Sequence, residues 1–96
     1  MQDERYMRLA LEEAARAPAA GEIPIGAVIT LGGQILASAH NRRESCQDPT
    51  AHAEMVAIRA AAARLGSWRL LDTTMYVTLE PCTMCIGAII LARIPR

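Results

Sequence analysis

Two short segments, far apart along the chain, carry side chains of the kind that bind metal ions. His52 and Glu54 form a His-x-Glu sequence, and Pro81, Cys82 and Cys85 form a Pro-Cys-x-x-Cys sequence. Zinc in proteins is usually tetrahedral and takes imidazole nitrogen and thiolate sulfur readily. If one ion is shared by the imidazole and the two thiolates, the two segments must meet in the folded chain. This requirement restricts the possible folds more than any other feature of the sequence.

The number of candidate ligands indicates a catalytic rather than a structural site. His52, Cys82 and Cys85 supply three donors, and a zinc ion with three protein ligands keeps a fourth position for water. A structural site would need a fourth protein ligand, but His40 lies in another segment and Cys46 stands alone in a polar stretch. We therefore predict one Zn²⁺ per chain, bound by the imidazole and the two thiolates.

Glu54 is the predicted catalytic side chain of this site. On a regular helix, residues two apart point about 200° away from each other, which disfavours joint ligation by His52 and Glu54. With His52 in an irregular first turn, the Glu54 carboxylate can still face the open position. There it would carry a proton between water and a substrate, as a general acid and base does.

The composition limits the size of the fold and its partners. A chain of 96 residues suits a single domain with a modest core. Ten arginines and ten acidic residues give a net charge of zero, so no general attraction to nucleic acid or to an anionic membrane is expected. A nucleic-acid contact would need a local patch. Arg42, Arg43 and Arg69 are candidates for phosphate contacts, although exposed arginines are more often only solvated.

The cysteines and the apolar runs indicate a cytoplasmic protein without a membrane anchor. Three cysteines, two of them in the Cys-x-x-Cys sequence, do not make a disulfide framework and suit a reducing compartment. A secretory signal is not predicted, because Glu12 and Glu13 interrupt the apolar residues near the N-terminus. The apolar run from Ile86 to Ala92 is too short to span a bilayer.

Hydrophobic periodicity and turn residues predict an α/β chain in the order αββαβα. The Gly32-Gly33 pair tolerates positive φ and predicts a tight hairpin between two antiparallel strands. Asp48 or Thr50 is the predicted cap of the second helix, and the polar stretch 41–49 is predicted to be a loop. The predicted elements are a helix at 3–17, strands at 25–31 and 34–39, a helix at 52–65, a strand at 74–79 and a helix at 81–93.

Both metal-binding segments fall at the start of a predicted helix. His52 opens the second helix, and Cys82 and Cys85, three residues apart, share a face at the start of the third. The positive ends of the two helix dipoles would then point at the metal. Such an environment stabilises thiolates and lowers thiol pKa values, which favours metal binding at neutral pH.

Further segments of the chain make the pattern more specific than a zinc signature alone. They are 23–28, His40-Asn41-Arg42, 48–54, 69–72 and 76–85. With them, the chain resembles the zinc-dependent nucleoside and nucleobase deaminases, and most of all those members that act on tRNA. The resemblance implies a cytidine deaminase-like, three-layer α-β-α fold. It also implies hydrolytic deamination of the wobble adenosine of a tRNA anticodon to inosine, with release of ammonia.

The resemblance also assigns roles to single residues. It implies the three ligands already named and makes Glu54 the proton shuttle. Asn41 corresponds to the side chain that hydrogen-bonds the purine ring. Ile25 and Ala53 correspond to parts of the wall and backbone of the base pocket, and Pro24 to its rim. Members of this family are usually homodimers whose substrate groove combines both subunits, so a homodimer that binds a tRNA anticodon loop is expected.

The family pattern extends beyond the end of this sequence. Its members continue past the third predicted helix into further strands and helices, whereas this sequence stops at Arg96. We therefore expect residues 1–96 to form one zinc deaminase-like domain that is C-terminally truncated. The sheet would be incomplete relative to the family, and the resemblance leaves open whether the 96-residue chain is active by itself.

Other interpretations of the same residues stay open. Cys-x-x-Cys at a helix start also occurs in thioredoxin-like redox proteins, although that fold does not account for His-x-Glu. The chemistry could also serve a free nucleobase or nucleoside such as guanine or cytosine, or the chain could be a non-catalytic zinc-binding fragment. Asn41 could be only a turn residue after a strand. Trp68 could be a packing lid rather than a base-stacking surface.

Overall fold

The computed structural model of the protein describes residues 2–18, 21–78 and 83–95. The predicted α/β class and the order of the six long elements are confirmed. One short helix is additional, because part of the polar stretch predicted as a loop is helical. The elements are α1 (Gln2–Arg16), β1 (Gly26–Leu31), β2 (Gln34–His40), the short α2 (Arg43–Cys46), α3 (Ala53–Leu65), β3 (Thr73–Val77) and α4 (Thr83–Leu91).

The sheet brings distant parts of the sequence to one edge. Its strand order among the described residues is β2-β1-β3, and both outer strands run antiparallel to β1. Gly26, the first residue of β1, lies opposite His40, and Ala27 lies opposite Val77. β2 and β3 therefore end at the edge where β1 begins. The segments that follow β2 and β3 contain His52 and Cys85 respectively, so the topology directs both segments to the same region.

The hairpin between β1 and β2 follows from its glycines. Gly32 and Gly33 have φ values of +56° and +82°, which glycine adopts without a steric penalty. Two residues with positive φ make the turn that suits the twist of a hairpin. Within the pair, Ile29 is opposite Ala37 and Thr30 is opposite Ile35. The residue between, Leu36, is thus the extra residue of a β-bulge.

Helices cover both faces of the sheet, as a three-layer α-β-α fold requires. Side chains in a strand alternate between faces. Val28 and its cross-strand partner Tyr76 lie on the α1 face, where the Tyr6 and Tyr76 ring centroids are 5.3 Å apart. The opposite face forms the main core with α3 and the end of α4. Its buried members are Ala27, Ile29, Ala37, Ala39, Ala53, Ala57, Ala61, Leu70, Ala92 and Ile94.

The length and polarity of the helices in the described part of the chain bear on whether any of them could span a membrane. The longest of them, α1, has 15 residues and carries charged side chains along its exposed face. In the ranges that the structure covers, no helix has the length and apolar character needed to cross a bilayer.

Candidate metal centre

His52 and Cys85 meet at the edge of the sheet where β2 and β3 end. The His52 Nδ1 and Cys85 Sγ atoms lie 3.6 Å apart, although the residues are 33 positions apart in sequence. Two donors on one tetrahedral zinc ion, with bonds of about 2.05 Å to nitrogen and 2.3 Å to sulfur, would be separated by about 3.6 Å. The observed pair therefore fits a shared zinc ion.

The third predicted ligand, Cys82, lies outside the described residues, as do Glu80 and Pro81. Within ranges 2–18, 21–78 and 83–95, no group of three His, Cys, Asp or Glu side chains is close enough to hold an ion. The described part of the centre is thus one imidazole before α3 and one thiol in the first turn of α4. Cys46, the remaining cysteine, is an exposed free thiol in α2.

The backbone at His52 explains how the predicted ligand His52 and the predicted catalytic residue Glu54, only two positions apart, can serve the same site. His52 is the N-cap residue of α3 and is extended, with φ −69° and ψ 153°, so the helix starts one residue later than predicted. The separation of about 200° that holds inside a regular helix does not apply across this boundary. Glu54 lies in the first turn and is 4% exposed. A shielded carboxylate two residues after the predicted imidazole ligand suits the predicted role in proton transfer.

The prediction that Asp48 or Thr50 caps α3 is wrong. The N-cap residue is His52, and its side chain makes no capping hydrogen bond. The buried N–H of Ala53 donates instead to Oδ1 of Asn41, at 2.7 Å. The first N–H groups of a helix have no partner within the helix. Here the acceptor comes from the segment after β2, so Asn41 is tied directly to the residue between His52 and Glu54.

Asp48 and Thr50 form a local turn before the metal-binding segment. The Asp48 Oδ1 atom accepts hydrogen bonds from the Thr50 hydroxyl at 2.7 Å and from the Thr50 N–H at 2.9 Å. Those two bonds, with a smaller contribution from Arg59, lower the pKa of Asp48 despite the opposing effect of its burial. Asp48 therefore stabilises the turn just before His52 and does not cap α3.

Asn41 lines a cavity of about 140 Å³. Asn41 is 3% exposed as a residue, and its Nδ2 makes no hydrogen bond to the described residues. That nitrogen is the donor left for a ligand. The cavity is much larger than the roughly 30 Å³ that one water occupies in the liquid. Its lining residues are Gly21, Glu22, Ile23, Asn41, Arg43 and Glu44.

The other predicted pocket residues lie around the same edge of the sheet. Pro24 is exposed and sits within a tight turn, in which the Ile25 N–H donates to the Ile23 carbonyl at 2.8 Å. Ile25 is half-buried and packs against the main core, and its carbonyl accepts from the Asn41 N–H at 3.2 Å. Ala53 is fully buried at the start of α3. The segment before β1 is thereby held next to Asn41.

Polar residues that no sequence pattern singled out, Glu22 and Glu13, make hydrogen-bond contacts in this region. Glu22 accepts hydrogen bonds from α2, and Glu13 of α1 lies 2.7 Å from the His40 Nδ1 atom. The available signal was weak, since an acidic residue just before Ile23 and Pro24 could equally be a solvated loop residue. Its burial is what distinguishes Glu22, and burial is a property of the fold.

Trp68 and Arg69 lie away from the candidate metal centre. They follow the C-terminus of α3, and a helix of 13 residues is about 20 Å long, so its two ends are well separated. The Arg69 guanidinium stacks 4.4 Å from the centre of the Trp68 ring, which is 56% exposed. Arg42 and Arg43, in contrast, are exposed and adjacent to Asn41. Arg43 also lines the cavity that Asn41 lines.

The chain belongs to the family described as cytidine and deoxycytidylate deaminase zinc-binding region, whose model matches residues 1–96. It is 54% identical to the tRNA-specific adenosine deaminase of Bacillus subtilis (strain 168) over 95 residues, which are 99% of this chain and 59% of that protein. It is also 54% identical to the chloroplastic tRNA(adenine(34)) deaminase of Arabidopsis thaliana over 92 residues, 96% of this chain and 7% of the relative. The chain thus spans little more than half of the bacterial relative.

Solved structures confirm the cytidine deaminase-like fold. One from a study of A-to-I editing by tRNA:A34 deaminases at the wobble position of transfer RNA matches with a TM-score of 0.95 and 49% identity, over 98% of this chain and 72% of that one. The guanine deaminase of Bacillus subtilis matches with a TM-score of 0.93 and 43% identity, over 96% of this chain and 59% of that one.

Proposed function

We propose that this chain carries the zinc centre of a hydrolytic deaminase that converts the wobble adenosine of a tRNA anticodon to inosine. The observation that carries the proposal is the 3.6 Å approach of His52 Nδ1 to Cys85 Sγ, next to the buried Glu54. The similarity to tRNA-specific adenosine deaminases supports the choice of substrate. In the overall reaction, water and adenosine give inosine and ammonia.

The proposed cofactor is one Zn²⁺ per chain, held by His52, Cys82 and Cys85. One imidazole and two thiolates are donors that suit zinc, and the two thiolates balance its charge. When bound, the ion would lower the pKa of a water molecule to about 7 and so supply a nucleophile at neutral pH.

The chain's own residues would bind the base and move the protons. The Glu54 carboxylate takes a proton from the attacking water and returns it to the amino group that leaves as ammonia. Asn41, fixed by the Ala53 N–H at its oxygen, donates from Nδ2 to an acceptor nitrogen of the purine ring. Ile25 and Ala53 form wall and backbone of the base pocket, and Pro24 its rim.

A tRNA substrate requires contacts beyond the base. Sequence-specific RNA recognition usually takes unstacked bases from loops, so the pocket must be open to an anticodon loop. Arg42 and Arg43 are exposed beside Asn41 and would contact its phosphates. These two arginines provide a local positive patch on a chain whose net charge is zero.

We also propose the context in which this site acts. Residues 1–96 form one zinc deaminase-like domain that pairs as a homodimer and works in the cytoplasm. Exposed apolar side chains on α4 support pairing, since Leu91 is 73% exposed and Ile90 and Ile86 are also exposed. The scarcity of cysteines other than the ligands supports a reducing compartment.

Deamination of free guanine is the second candidate function. It is favoured by the close structural match to the guanine deaminase of Bacillus subtilis. The two functions differ in what must surround the base, since a free-base enzyme encloses its ligand whereas a tRNA enzyme keeps the pocket accessible. The 54% identity to a tRNA-specific adenosine deaminase, against 43% to the guanine deaminase, is the reason for placing tRNA first.

The test combines zinc content with two substrates. The purified chain should bind one zinc ion and form inosine in an anticodon stem-loop with a wobble adenosine. Cys85→Ser should lose zinc, whereas Cys46→Ser, a matched change at the exposed thiol, should keep both zinc and activity. Glu54→Ala should keep zinc and lose about 10²–10⁴ in rate.

The outcomes separate the candidates. Ammonia release from guanine but not from the stem-loop would favour the second candidate. Zinc binding without either reaction would identify the chain as a non-catalytic zinc-binding fragment. A chain that folds without binding zinc would contradict both deaminase functions.

A further inference from the structure

Glu22 is a buried acidic residue that holds two separate segments together. It lies between α1 and β1 and is 7% exposed. Its Oε2 accepts from the Ser45 N–H at 2.6 Å and from the Ser45 hydroxyl at 2.7 Å, and its Oε1 accepts from the Glu44 N–H at 3.1 Å. Hydrogen bonds to an ionised acceptor are stronger than those between neutral groups. The contact is therefore a strong tie between residues 22 and 44–45.

The short helix α2 depends on this tie because its own sequence does not cap it. Arg42, its N-cap residue, makes no side-chain capping hydrogen bond. Unpaired N–H groups in the first turn of a helix need an acceptor, and Glu22 supplies it from another part of the chain. Burial raises the pKa of Glu22, but the hydrogen bonds from Ser45 and Glu44, with the charge of His40, outweigh burial and lower it.

The same tie acts on the position of Asn41. Asn41 precedes Arg42, the N-cap residue of α2, and its N–H donates to the Ile25 carbonyl at 3.2 Å. The Arg42 N–H donates to the Ala51 carbonyl at 2.9 Å and closes the segment into a loop. Glu22 and Asn41 line the same cavity, together with Arg43 and Glu44 of α2. The hydrogen bonds of Glu22 therefore join the segment before β1 to α2 within the lining of that cavity.

We propose that Glu22 is a positioning residue for Asn41. By tying α2 to the segment before β1, it fixes the width of the cavity and holds Asn41 where its Oδ1 accepts from the Ala53 N–H. The Asn41 Nδ2 is then directed toward the ligand. Only the consequence for substrate binding rests on the proposed function. The consequence for the Asn41–Ala53 hydrogen bond belongs to the folded chain alone.

Glu22→Gln tests the proposal, with Glu4→Gln as the matched control at an exposed site on α1. Glutamine keeps one acceptor oxygen and places an amide donor toward the α2 donors. Amide hydrogen exchange of the full 96-residue chain should show the Ala53 N–H exchanging about tenfold faster in Glu22→Gln, relative to the amides of β1. Glu4→Gln should leave this ratio unchanged.

A second readout separates positioning from general stability. If the chain deaminates the stem-loop, Glu22→Gln should raise KM about fivefold while kcat and zinc content change less than about twofold, as expected when ground-state and transition-state binding weaken equally. If the wild-type chain has no deaminase activity, the proposed function fails, but the exchange of the Ala53 N–H still decides the role of Glu22.

The overturning result is specific. If only the Glu44 and Ser45 N–H groups exchange faster while the Ala53 N–H does not, Glu22 caps α2 and does nothing for Asn41. Should Glu22→Gln not fold, Ser45→Ala answers the same question, because it removes only the hydroxyl donor. It should speed Ala53 exchange about threefold, and an unchanged rate would overturn the proposal.

Discussion

The two faces of the sheet are built on different principles. On the α1 face, main chain approaches main chain: a Cβ atom added to Gly26 would lie 2.6 Å from the Ala14 nitrogen and would overlap the Ala10 carbonyl. On the α3 face, the contact is made by small side chains, with Ala57 and Ala61 fully buried against the strands. The α1 face is therefore the less tolerant of added volume.

The two faces also differ in how they relate to the predicted site residues. The alanines let α3 lie close to the sheet, and its N-terminus then brings His52 and Glu54 to the edge where α4 begins. On the α1 face, Glu13 lies within hydrogen-bond distance of His40, the neighbour of Asn41. Helix α3 thus carries the predicted site residues His52 and Glu54 at its start, and α1 contacts the end of β2 next to Asn41.

The largest expected effect comes from filling the close approach on the α1 face. Gly26→Ala should lower the free energy of unfolding by about 3 kcal/mol or more, because the clash is with backbone atoms that cannot rotate away. Gly87→Ala is the matched control, since a Cβ there meets nothing within 4 Å. It should stabilise α4 by about 0.5–1 kcal/mol. Chemical denaturation measures both, and similar values for the two variants would contradict the comparison.

Overpacking the α3 face should lower the free energy of unfolding by less than Gly26→Ala does. Ala57→Leu places a large side chain between α3 and the strands, where the neighbours are side chains able to shift, and should destabilise by about 2 kcal/mol. Ala60→Leu on the exposed side of the same helix should change stability by less than about 0.5 kcal/mol. If Ala57→Leu were as damaging as Gly26→Ala, the two faces would be equally rigid.

The loss of a single hydrogen bond on the α1 face should lower the free energy of unfolding by less than either overpacking substitution. Tyr6→Phe removes the hydroxyl that donates to the Gly33 carbonyl at 2.7 Å and should cost about 1 kcal/mol. Tyr76→Phe removes an exposed bond to Asp3 and should cost about half as much. Thermal unfolding of the two variants measures the difference. An equal or reversed order would show that burial of the α1 face does not strengthen its polar contacts.

The smallest expected effect is a pH dependence from the turn before α3. The pKa of Asp48 is lowered from 3.8 on folding, so its stabilisation is complete above that value and is lost as the pH falls through the lowered one. Asp48→Asn should make the loss of stability on acidification shallower below about pH 4. Thr50→Val, which removes the hydroxyl donor to Asp48, should make the same loss of stability on acidification partly shallower. Unfolding curves between neutral and acidic pH check both, and an unaltered slope would exclude a contribution from Asp48.

Local signals account for most of the fold that sequence analysis predicted. The Gly32-Gly33 turn and the runs of β-favouring residues in β1 and β2 depend on neighbouring residues, and the predicted boundaries of α1 lie within one residue of those observed. Local signals failed at the short helix α2, whose capping acceptor, Glu22, is more than 20 positions earlier. They failed again at the start of α3, where the local acceptors Asp48 and Thr50 were available but Asn41 is used.

The sequence by itself determined which donors and which carboxylate this chain offers, because zinc chemistry selects residue types and spacings that can be read directly. It also determined the elements, since periodicity and glycine geometry are local properties. Only the tertiary structure decided that His52 Nδ1 and Cys85 Sγ lie 3.6 Å apart. It also decided that Asn41 accepts a hydrogen bond from the Ala53 N–H and that Glu22 accepts one from the Ser45 N–H. These contacts join residues that are distant along the chain. Packing and burial select them, and no local pattern encodes either.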